Sequence, residues 1–199
     1  MVTSESIAKL RAQTGAGIMD CKSALTEAKG DEAKAIEVLR KKGLADAQKR
    51  SGRQAKEGLI YSYIHPGSKV GAMIEINCET DFVARTADFK NLAKELAMQV
   101  VATSPKWIRR EEVPTAVIGK EMEIYSKQAE NEKKPAQVIA KIAEGRLSKY
   151  YSQFCLLEQP SIRDSSGKTK VESLIGELAG KIGENITLRR FARFELGEE

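Results

Sequence analysis

The fold is decided by VGAMIEINCETDFVAR, residues 70–85, where a strand-like pattern gives way to a helix-like one. Between Val70 and Asn77 apolar side chains recur at every second position, as in a strand with one buried face. Helical spacing begins near Thr86. Connections of this kind are short, and their side chains point beyond the end of the sheet. Residues 77–85 are therefore predicted to form a short junction between a strand and a helix.

Phe82 is out of place in this junction because it belongs neither to the strand alternation nor to the helical stripe. Its ring either folds back onto the interior of the protein or is held out for a partner. Spacing alone favours the interior, since most aromatic side chains in folded proteins are buried. The two alternatives predict opposite exposures for the ring.

Two further runs with a period of two complete a predicted antiparallel sheet of about three strands. Leu59–His65 is expected to pair with the Val70 strand across the turn Pro66–Lys69. A last strand carries on its predicted inward side Ile186, Leu188, Ala192, Phe194 and Leu196. Phe191 stands on its otherwise polar side, which indicates that this side is covered as well. The edges of so small a sheet must be paired, charged or hidden, and a second copy of the chain could cover them.

Residues 3–43 are predicted to form three short helices. Thr3 or Ser4 is placed to cap the first, and Asp31 is placed to cap the third. We expect the third helix to end at Gly43. The inward faces are predicted to carry Ile7, Leu10, Ile18, Cys21, Leu25, Ala28, Ala35, Ile36 and Leu39. Helix-turn-helix DNA-binding domains share this skeleton, but the three helices lack a dense base-reading face of Arg, Lys, Asn and Gln.

The remaining helices are predicted over residues 86–102, 118–131, 135–154 and 171–182. The fold class is therefore α+β, with an N-terminal three-helix module followed by a core in which a small antiparallel sheet packs with helices. We place the module at residues 1–44, a basic linker at 45–57 and the α+β core at 58–199. The linker is either a solvated connector or a patch that steers an acidic partner.

The composition is that of a globular chain. Hydrophobic residues make up 41% of its 199 residues and charged residues 31%, which excludes the disordered class. Thirty-three Lys and Arg against 28 Asp and Glu permit an acidic partner or RNA and require neither. We expect no membrane span and no signal peptide. The three separated cysteines, Cys21, Cys78 and Cys155, indicate reduced thiols in the cytoplasm.

Few residues suggest catalysis. Cys78 lies near Glu79 and Asp81, but no spacing fixes a thiol site there, and a small buried hydrophobe is the favoured role for Cys78. His65 is the only histidine and stands apart from any cluster with metal-ligand spacing. The chain has no GxxxxGK[ST] phosphate loop. We therefore expect no enzyme, no metal and no cofactor, but a protein that acts by shape on a partner.

Two long stretches resemble the signatures of bacterial translation elongation factor Ts, in its short form. One is RAQTGAGIMDCKSAL, residues 11–25, and the other is residues 70–85. Residues 135–160 and the tail 190–197 also match, in the same order. The resemblance covers nearly the whole chain.

The resemblance implies a guanine-nucleotide exchange factor that acts on elongation factor Tu in the cytoplasm. The N-terminal module is implied to be similar to ubiquitin-associated domains and to dock on the partner's nucleotide-binding domain. The segment Thr80–Val83 is implied to disturb the Mg²⁺ site of the partner, to which both the Mg²⁺ and the GDP belong. Leu10 and Lys22 are implied to contact the partner. Short members are implied to act as homodimers, which fits the uncovered edges of the predicted sheet.

The same resemblance assigns roles to two neighbouring side chains. Phe82 would supply a wedge that fills a gap between side chains of the partner. Asp81 would act electrostatically near the metal, or it would cap the helix that presents Phe82.

A function of a different class remains open, that of a basic RNA- or ribosome-binding accessory protein. It would use the basic linker and the three-helix module, and its binding would fall steeply with salt. The exchange-factor interpretation instead predicts no specific nucleic-acid partner.

Overall fold

The computed structural model describes residues 2–132 and 135–198. This part of the chain contains eight α-helices and three strands, which form one antiparallel sheet in the order β1, β2, β3. The helices are α1 (Ser4–Thr14), α2 (Ile18–Glu27), α3 (Glu32–Arg50), α4 (Asp81–Arg85), α5 (Ala87–Thr103), α6 (Thr115–Asn131), α7 (Ala136–Phe154) and α8 (Val171–Ile182). The strands are β1 (Glu57–Ile64), β2 (Val70–Cys78) and β3 (Thr187–Glu195). The predicted α+β class is confirmed.

Two compact units divide the chain, and each is assembled from separate stretches. The first unit comprises Met1–Leu59, Ile76–Leu92 and Ser173–Thr187, and the second comprises Ile60–Glu75, Ala93–Glu172 and Leu188–Glu199. All three strands contribute residues to both units. The predicted segment boundaries at residues 44 and 57 stay a prediction, and the end residues Met1 and Glu199 lie outside the described part of the chain.

In the first unit, α1, α2 and α3 pack around a small apolar core. This core consists of Leu10, Cys21, Ala24, Leu25, Ala28 and Ala35. Thr3 caps α1 and Asp31 caps α3, each through a side-chain oxygen that accepts a backbone N–H, as predicted. Ile36 was predicted to face inward, but it is exposed, because Val38 and Leu39 are the side chains of α3 that pack on this core after Ala35. The inward prediction for Ile18 is wrong as well: it is 54% exposed at the first position of α2, and the core is reached by residues further along that helix.

The third helix continues well past Gly43, where it was predicted to end. Gly43 faces α8, because a Cβ added at Gly180 would lie 2.7 Å from the backbone oxygen of Gly43. Arg40 forms an ion pair with Glu177 across the same pair of helices. Gly43 therefore permits a close helix–helix approach instead of a helix end, and residues 45–50 of the predicted linker are helical.

The strand β2 buries the face that its alternation predicts. Ala72 and Ile74 are buried, whereas Met73 between them is exposed. Near the start of β1, Gly58 has a φ of +141°, and a Cβ there would lie 2.1 Å from the backbone oxygen of Ile76. Only glycine fits this position, since any side chain would collide with the neighbouring strand.

The alternation of β3 breaks in the middle of the strand. Arg189 and Arg190 are consecutive, yet both are exposed and both form ion pairs with Glu75. Two residues in succession are exposed here, so the regular alternation of buried and exposed positions does not continue through β3. Phe194 was predicted to face inward with Leu188, but it is 73% exposed whereas Leu188 is buried. Leu196, also predicted inward, is exposed and lies just beyond the end of β3.

In the second unit, α6 and α7 pack against each other. Arg146 of α7 donates to Gln128 (2.5 Å) and to Glu132 (2.6 Å) at the end of α6. Arg110 donates two hydrogen bonds to the carboxylate of Glu158, at 2.7 and 2.6 Å.

None of the described helices combines the length and the apolar character needed to cross a membrane.

Candidate partner-binding site

Phe82 lies on α4, a five-residue helix that follows β2, and its side chain is 77% exposed. Its neighbours Val83 and Ala84 are each 8% exposed, so they anchor the helix from below. Within residues 76–92, all of which the structure describes, Phe82 is the one large apolar side chain that is exposed. The interior alternative that spacing favoured is therefore wrong, while what the ring contacts stays a prediction.

Threonines cap both ends of α4. Thr80 is the N-cap, and its Oγ1 accepts a hydrogen bond from Val83 N at 3.5 Å. At the other end, Thr86 Oγ1 donates to Val83 O (2.8 Å) and accepts from Phe89 N (3.3 Å), so that it also caps α5. Of the two roles considered for Asp81, the capping role thus belongs to Thr80.

Asp81 and Arg85 form an ion pair along the exposed side of α4. The Arg85 guanidinium donates to the Asp81 carboxylate at 2.7 Å, in the i, i+4 spacing that brings side chains together on a helix. Both side chains remain accessible to solvent. Phe82 therefore stands next to an exposed carboxylate that an arginine holds in place.

A carboxylate from a distant part of the sequence braces the start of α4. Glu184, which follows α8, accepts hydrogen bonds from Glu79 N and Thr80 N, both at 3.0 Å on one oxygen. Its other oxygen accepts from Thr80 Oγ1 at 2.6 Å. Three hydrogen bonds thus fix the two residues that precede α4.

The segments 79–80 and 184–185 hold each other in place. Asn185 N donates to the Glu79 carboxylate at 2.7 Å, so each segment binds the backbone of the other through an acidic side chain. The Asn185 amide also donates to Arg53 O (2.7 Å) and Ser51 O (3.2 Å), just beyond α3. Sequence reasoning missed Glu184 and Asn185, because a polar pair between a helix and a strand carries no signal of a contact 105 positions away.

Cys78 lies beneath this junction and is completely buried. Its thiol donates to Thr80 O at 3.1 Å. Burial raises the pKa of the Cys78 thiol to about 11, and the negative charge of Glu184 adds to the effect. A catalytic cysteine needs the thiolate, so the predicted role as a small buried hydrophobe fits this geometry. Across residues 2–132 and 135–198, no group of three or more His, Cys, Asp or Glu side chains is placed to hold a metal ion.

Leu10 and Lys22 lie on the three-helix module. Leu10 is fully buried in the module core, whereas Lys22 is exposed on α2. On the outside, α1 and the start of α2 line a shallow depression of about 540 Å³ that includes Ile7, Arg11 and Ile18. Contact of Leu10 and Lys22 with a partner stays a prediction, and burial limits Leu10 to supporting the helices that carry this surface.

The second unit exposes a cluster of large apolar side chains, here called the sheet-face patch: Ile60, Ile64, Met73, Phe194 and Leu196. All but Ile60 line one depression of about 470 Å³. Gly71 makes room for the patch, since a Cβ there would lie 2.5 Å from Cδ1 of Ile64. Exposed apolar clusters are uncommon on monomeric proteins, so the sheet-face patch is a candidate interaction surface.

Known proteins resemble this chain closely. The family model described as Elongation factor TS matches residues 40–169. Elongation factor Ts of Anaeromyxobacter dehalogenans (strain 2CP-1) is 56% identical over 197 residues, which cover 99% of this chain and 89% of that protein. Elongation factor Ts of Carboxydothermus hydrogenoformans is 56% identical over 198 residues, which cover 100% of this chain and 90% of that protein. Elongation factor Ts of Caldanaerobacter subterraneus subsp. tengcongensis is also 56% identical over 198 residues, which cover 100% of this chain and 98% of that protein. The chain therefore belongs to the elongation factor Ts family of translation elongation factors.

Proposed function

We propose that this protein is a guanine-nucleotide exchange factor for elongation factor Tu, and that it promotes GDP release by disturbing the Mg²⁺ and phosphate site of that partner. The observation that carries the proposal is the exposed Phe82 ring on a short helix that is capped and braced. Membership of the elongation factor Ts family supports it independently. The protein works in the cytoplasm, and its three free, buried cysteines support a reducing compartment.

Phe82 acts as the wedge. Aromatic rings that enter a fully desolvated pocket of a partner supply a large share of the binding energy of an interface. Val83 and Ala84 hold α4 against the protein interior, so the helix does not retreat when the ring meets resistance. A ring that is already positioned loses little conformational freedom on binding, and more of the contact energy remains to displace the partner's side chains.

Asp81 acts through its charge. Its carboxylate is one residue from the wedge and is oriented by Arg85. When Phe82 enters the partner near the Mg²⁺ site, Asp81 enters the same region and changes the electrostatic field at the metal ligands. Thr80 and Val83 contribute by holding the helix, Thr80 as its cap and Val83 as its buried anchor.

The three-helix module supplies docking. Its exposed depression on α1 and α2 offers an apolar surface, and Lys22 on α2 offers a positive charge to the nucleotide-binding domain of the partner. Leu10 maintains that surface from beneath. The module at 1–44, the connector at 45–57 and the core at 58–199 then divide the work into docking, linking and exchange.

Exchange needs no covalent step and no cofactor of this chain's own. The factor stabilises a conformation of the partner in which Mg²⁺ and GDP are weakly held. Because linkage is reciprocal, GDP weakens the binding of the factor by the same ratio by which the factor weakens the binding of GDP.

The protein acts as a homodimer whose interface is the sheet-face patch. Its exposed apolar side chains would be covered by the same surface of a second copy, as a twofold contact requires. The break in the alternation of β3 supports this, because it turns Phe194 outward beside Ile64 and Met73.

The proposal is tested by the release of a fluorescent GDP analogue from purified elongation factor Tu in a stopped-flow instrument. The wild-type protein accelerates release, and Phe82→Ala reduces the acceleration by about thirtyfold, since truncating an anchor costs about 2 kcal/mol. Ile162→Ala is the control, because it shortens another exposed apolar side chain in a loop of the second unit. Equal acceleration by Phe82→Ala and by the wild type would refute the wedge, and no acceleration by the wild type would refute the exchange function.

The rival class, an RNA- or ribosome-binding protein, is separated by a mobility-shift titration with bulk RNA. Two cations near the predicted basic linker already have acidic partners, Lys49 with Asp46 (3.4 Å) and Arg53 with Glu79 (3.5 Å). We expect weak retention that is lost at moderate salt. Tight retention that persists at 200 mM salt would favour the rival.

A further inference from the structure

We propose that Glu184 is a positioning residue that aims the Phe82 ring through Thr80. Glu184 acts by the shape of its hydrogen bonds and not by presenting its charge to the partner. This inference rests on the proposed exchange function, and it adds a residue from a different part of the chain to the machinery that the segment Thr80–Val83 forms.

A helix as short as α4 cannot hold its own direction. Five residues form little more than one turn, and a single turn is unfavourable without outside support. The capping hydrogen bond from Val83 N to Thr80 Oγ1 is long, at 3.5 Å, and therefore weak. The direction of α4 must be set by stronger contacts elsewhere.

The contacts of Glu184 are the strong ones. One carboxylate oxygen accepts Glu79 N and Thr80 N at 3.0 Å each, and the other accepts Thr80 Oγ1 at 2.6 Å. Hydrogen bonds to a carboxylate are shorter and stronger than those between neutral groups. They fix both the backbone and the side-chain rotamer of the N-cap, two residues before Phe82, so a small rotation at Thr80 moves the ring by much more.

Glu184 is itself held in place. The next residue, Asn185, is buried and donates to Arg53 O at 2.7 Å and Ser51 O at 3.2 Å. Its backbone N–H donates to Glu79 at 2.7 Å. Glu184 is therefore held by its neighbour Asn185 on one side and binds the N-cap of α4 on the other. This arrangement lets the position of Glu184 determine the position of the N-cap.

Two substitutions separate shape from charge. Glu184→Gln keeps the length and removes the charge, and its amide oxygen can accept both backbone N–H groups while its NH₂ donates to Thr80 Oγ1. Glu184→Asp keeps the charge and withdraws both oxygens by one carbon–carbon bond, about 1.5 Å, which breaks the contacts. Glu184→Ala removes both.

Stimulated release of fluorescent GDP from elongation factor Tu then ranks the variants. We expect Glu184→Gln to stay within about twofold of the wild type, and Glu184→Asp and Glu184→Ala to lose about fivefold and tenfold, since a displaced functional group can cost up to a hundredfold. Equal rates for all four proteins, or a rate for Glu184→Asp above that for Glu184→Gln, would overturn the proposal, because the second result makes the charge the active feature.

A double substitution tests whether Glu184 acts through the ring. In a Phe82→Ala background, Glu184→Ala should change stimulated release by less than about twofold, since there is no ring left to aim. A tenfold loss in that background would mean that Glu184 contacts the partner independently, and the proposal would fail.

Cys78 reports the same brace without the partner. Its thiol lies under Thr80 and is buried, so iodoacetamide reaches it only when the junction opens. We expect Glu184→Ala and Glu184→Asp to speed alkylation of Cys78 at least tenfold, with Cys21 and Cys155 as internal controls that stay protected. Unchanged labelling of Cys78 would overturn the brace. Because this readout needs no GTPase, it separates a failure of the brace from a failure of the exchange function.

Discussion

Two phenylalanine rings are exposed to nearly the same degree, Phe82 at 77% and Phe194 at 73%, yet their surroundings differ. Phe82 belongs to the first unit and stands on a short helix whose adjoining residues are buried or charged. Phe194 belongs to the second unit and lies among other exposed apolar side chains, Ile64 and Met73 among them.

Exposure alone therefore does not define the use of an aromatic side chain. A single ring on a polar, braced support fits a narrow gap and can be withdrawn again, as a transient exchange reaction requires. A cluster of apolar side chains instead gains most when it is covered all at once, as in a permanent contact between copies.

The double variant Phe194→Glu and Leu196→Glu should abolish self-association. Placing two unpaired charges in a covered apolar surface weakens the dimer by at least about a hundredfold, since burial of an uncompensated charge costs several kcal/mol. Sedimentation velocity across a concentration series measures the change.

Ile162→Glu is the matched control, because it adds a charge to another exposed apolar position of the second unit outside the sheet-face patch. It should leave the sedimentation coefficient unchanged, as should Phe82→Ala. Loss of the dimer in Phe82→Ala, or persistence of the dimer in the double variant, would erase the contrast between the two rings.

The sequence predicted the regular parts of the fold well, because local signals determine them. The caps at Thr3 and Asp31 follow from side chains that accept nearby N–H groups, and the buried face of β2 follows from a period of two. At Gly43 the same local signal misled, since a glycine that ends a helix and a glycine that packs against another helix look alike until the partner, Gly180, is known.

The candidate site was predictable only in part. The resemblance located the segment Thr80–Val83, but spacing placed the Phe82 ring in the interior, because statistics for aromatic residues ignore the support beneath a particular one. Glu184 and Asn185 were invisible, since their contacts join positions 104 residues apart or more. The outward turn of Phe194 depends on a break in alternation at Arg189 and Arg190 that only the pairing with Glu75 shows.

Two neighbouring residues of α4 should differ strongly in their contribution to stability. Val83→Ala should lower the free energy of unfolding by about 2 kcal/mol, because it removes two buried methyl groups and leaves a cavity. Phe82→Ala should change it by less than about 0.5 kcal/mol, since its ring is already in water. Urea titrations measure both, and a loss near 2 kcal/mol in Phe82→Ala would mean that the ring supports the fold after all.

The smallest effect on stability concerns the ion pair beside the wedge. Asp81→Asn and Arg85→Gln each break the same exposed i, i+4 pair, so each should lower the free energy of unfolding by no more than about 0.5 kcal/mol. Their effects on exchange should nevertheless differ. If the Asp81 carboxylate acts on the partner, Asp81→Asn lowers stimulated GDP release by about threefold, whereas Arg85→Gln leaves the carboxylate in place and stays within about twofold of the wild type. Equal losses in the two variants would show that the pair only steadies α4, and Phe82 would then be the sole agent of exchange on that helix.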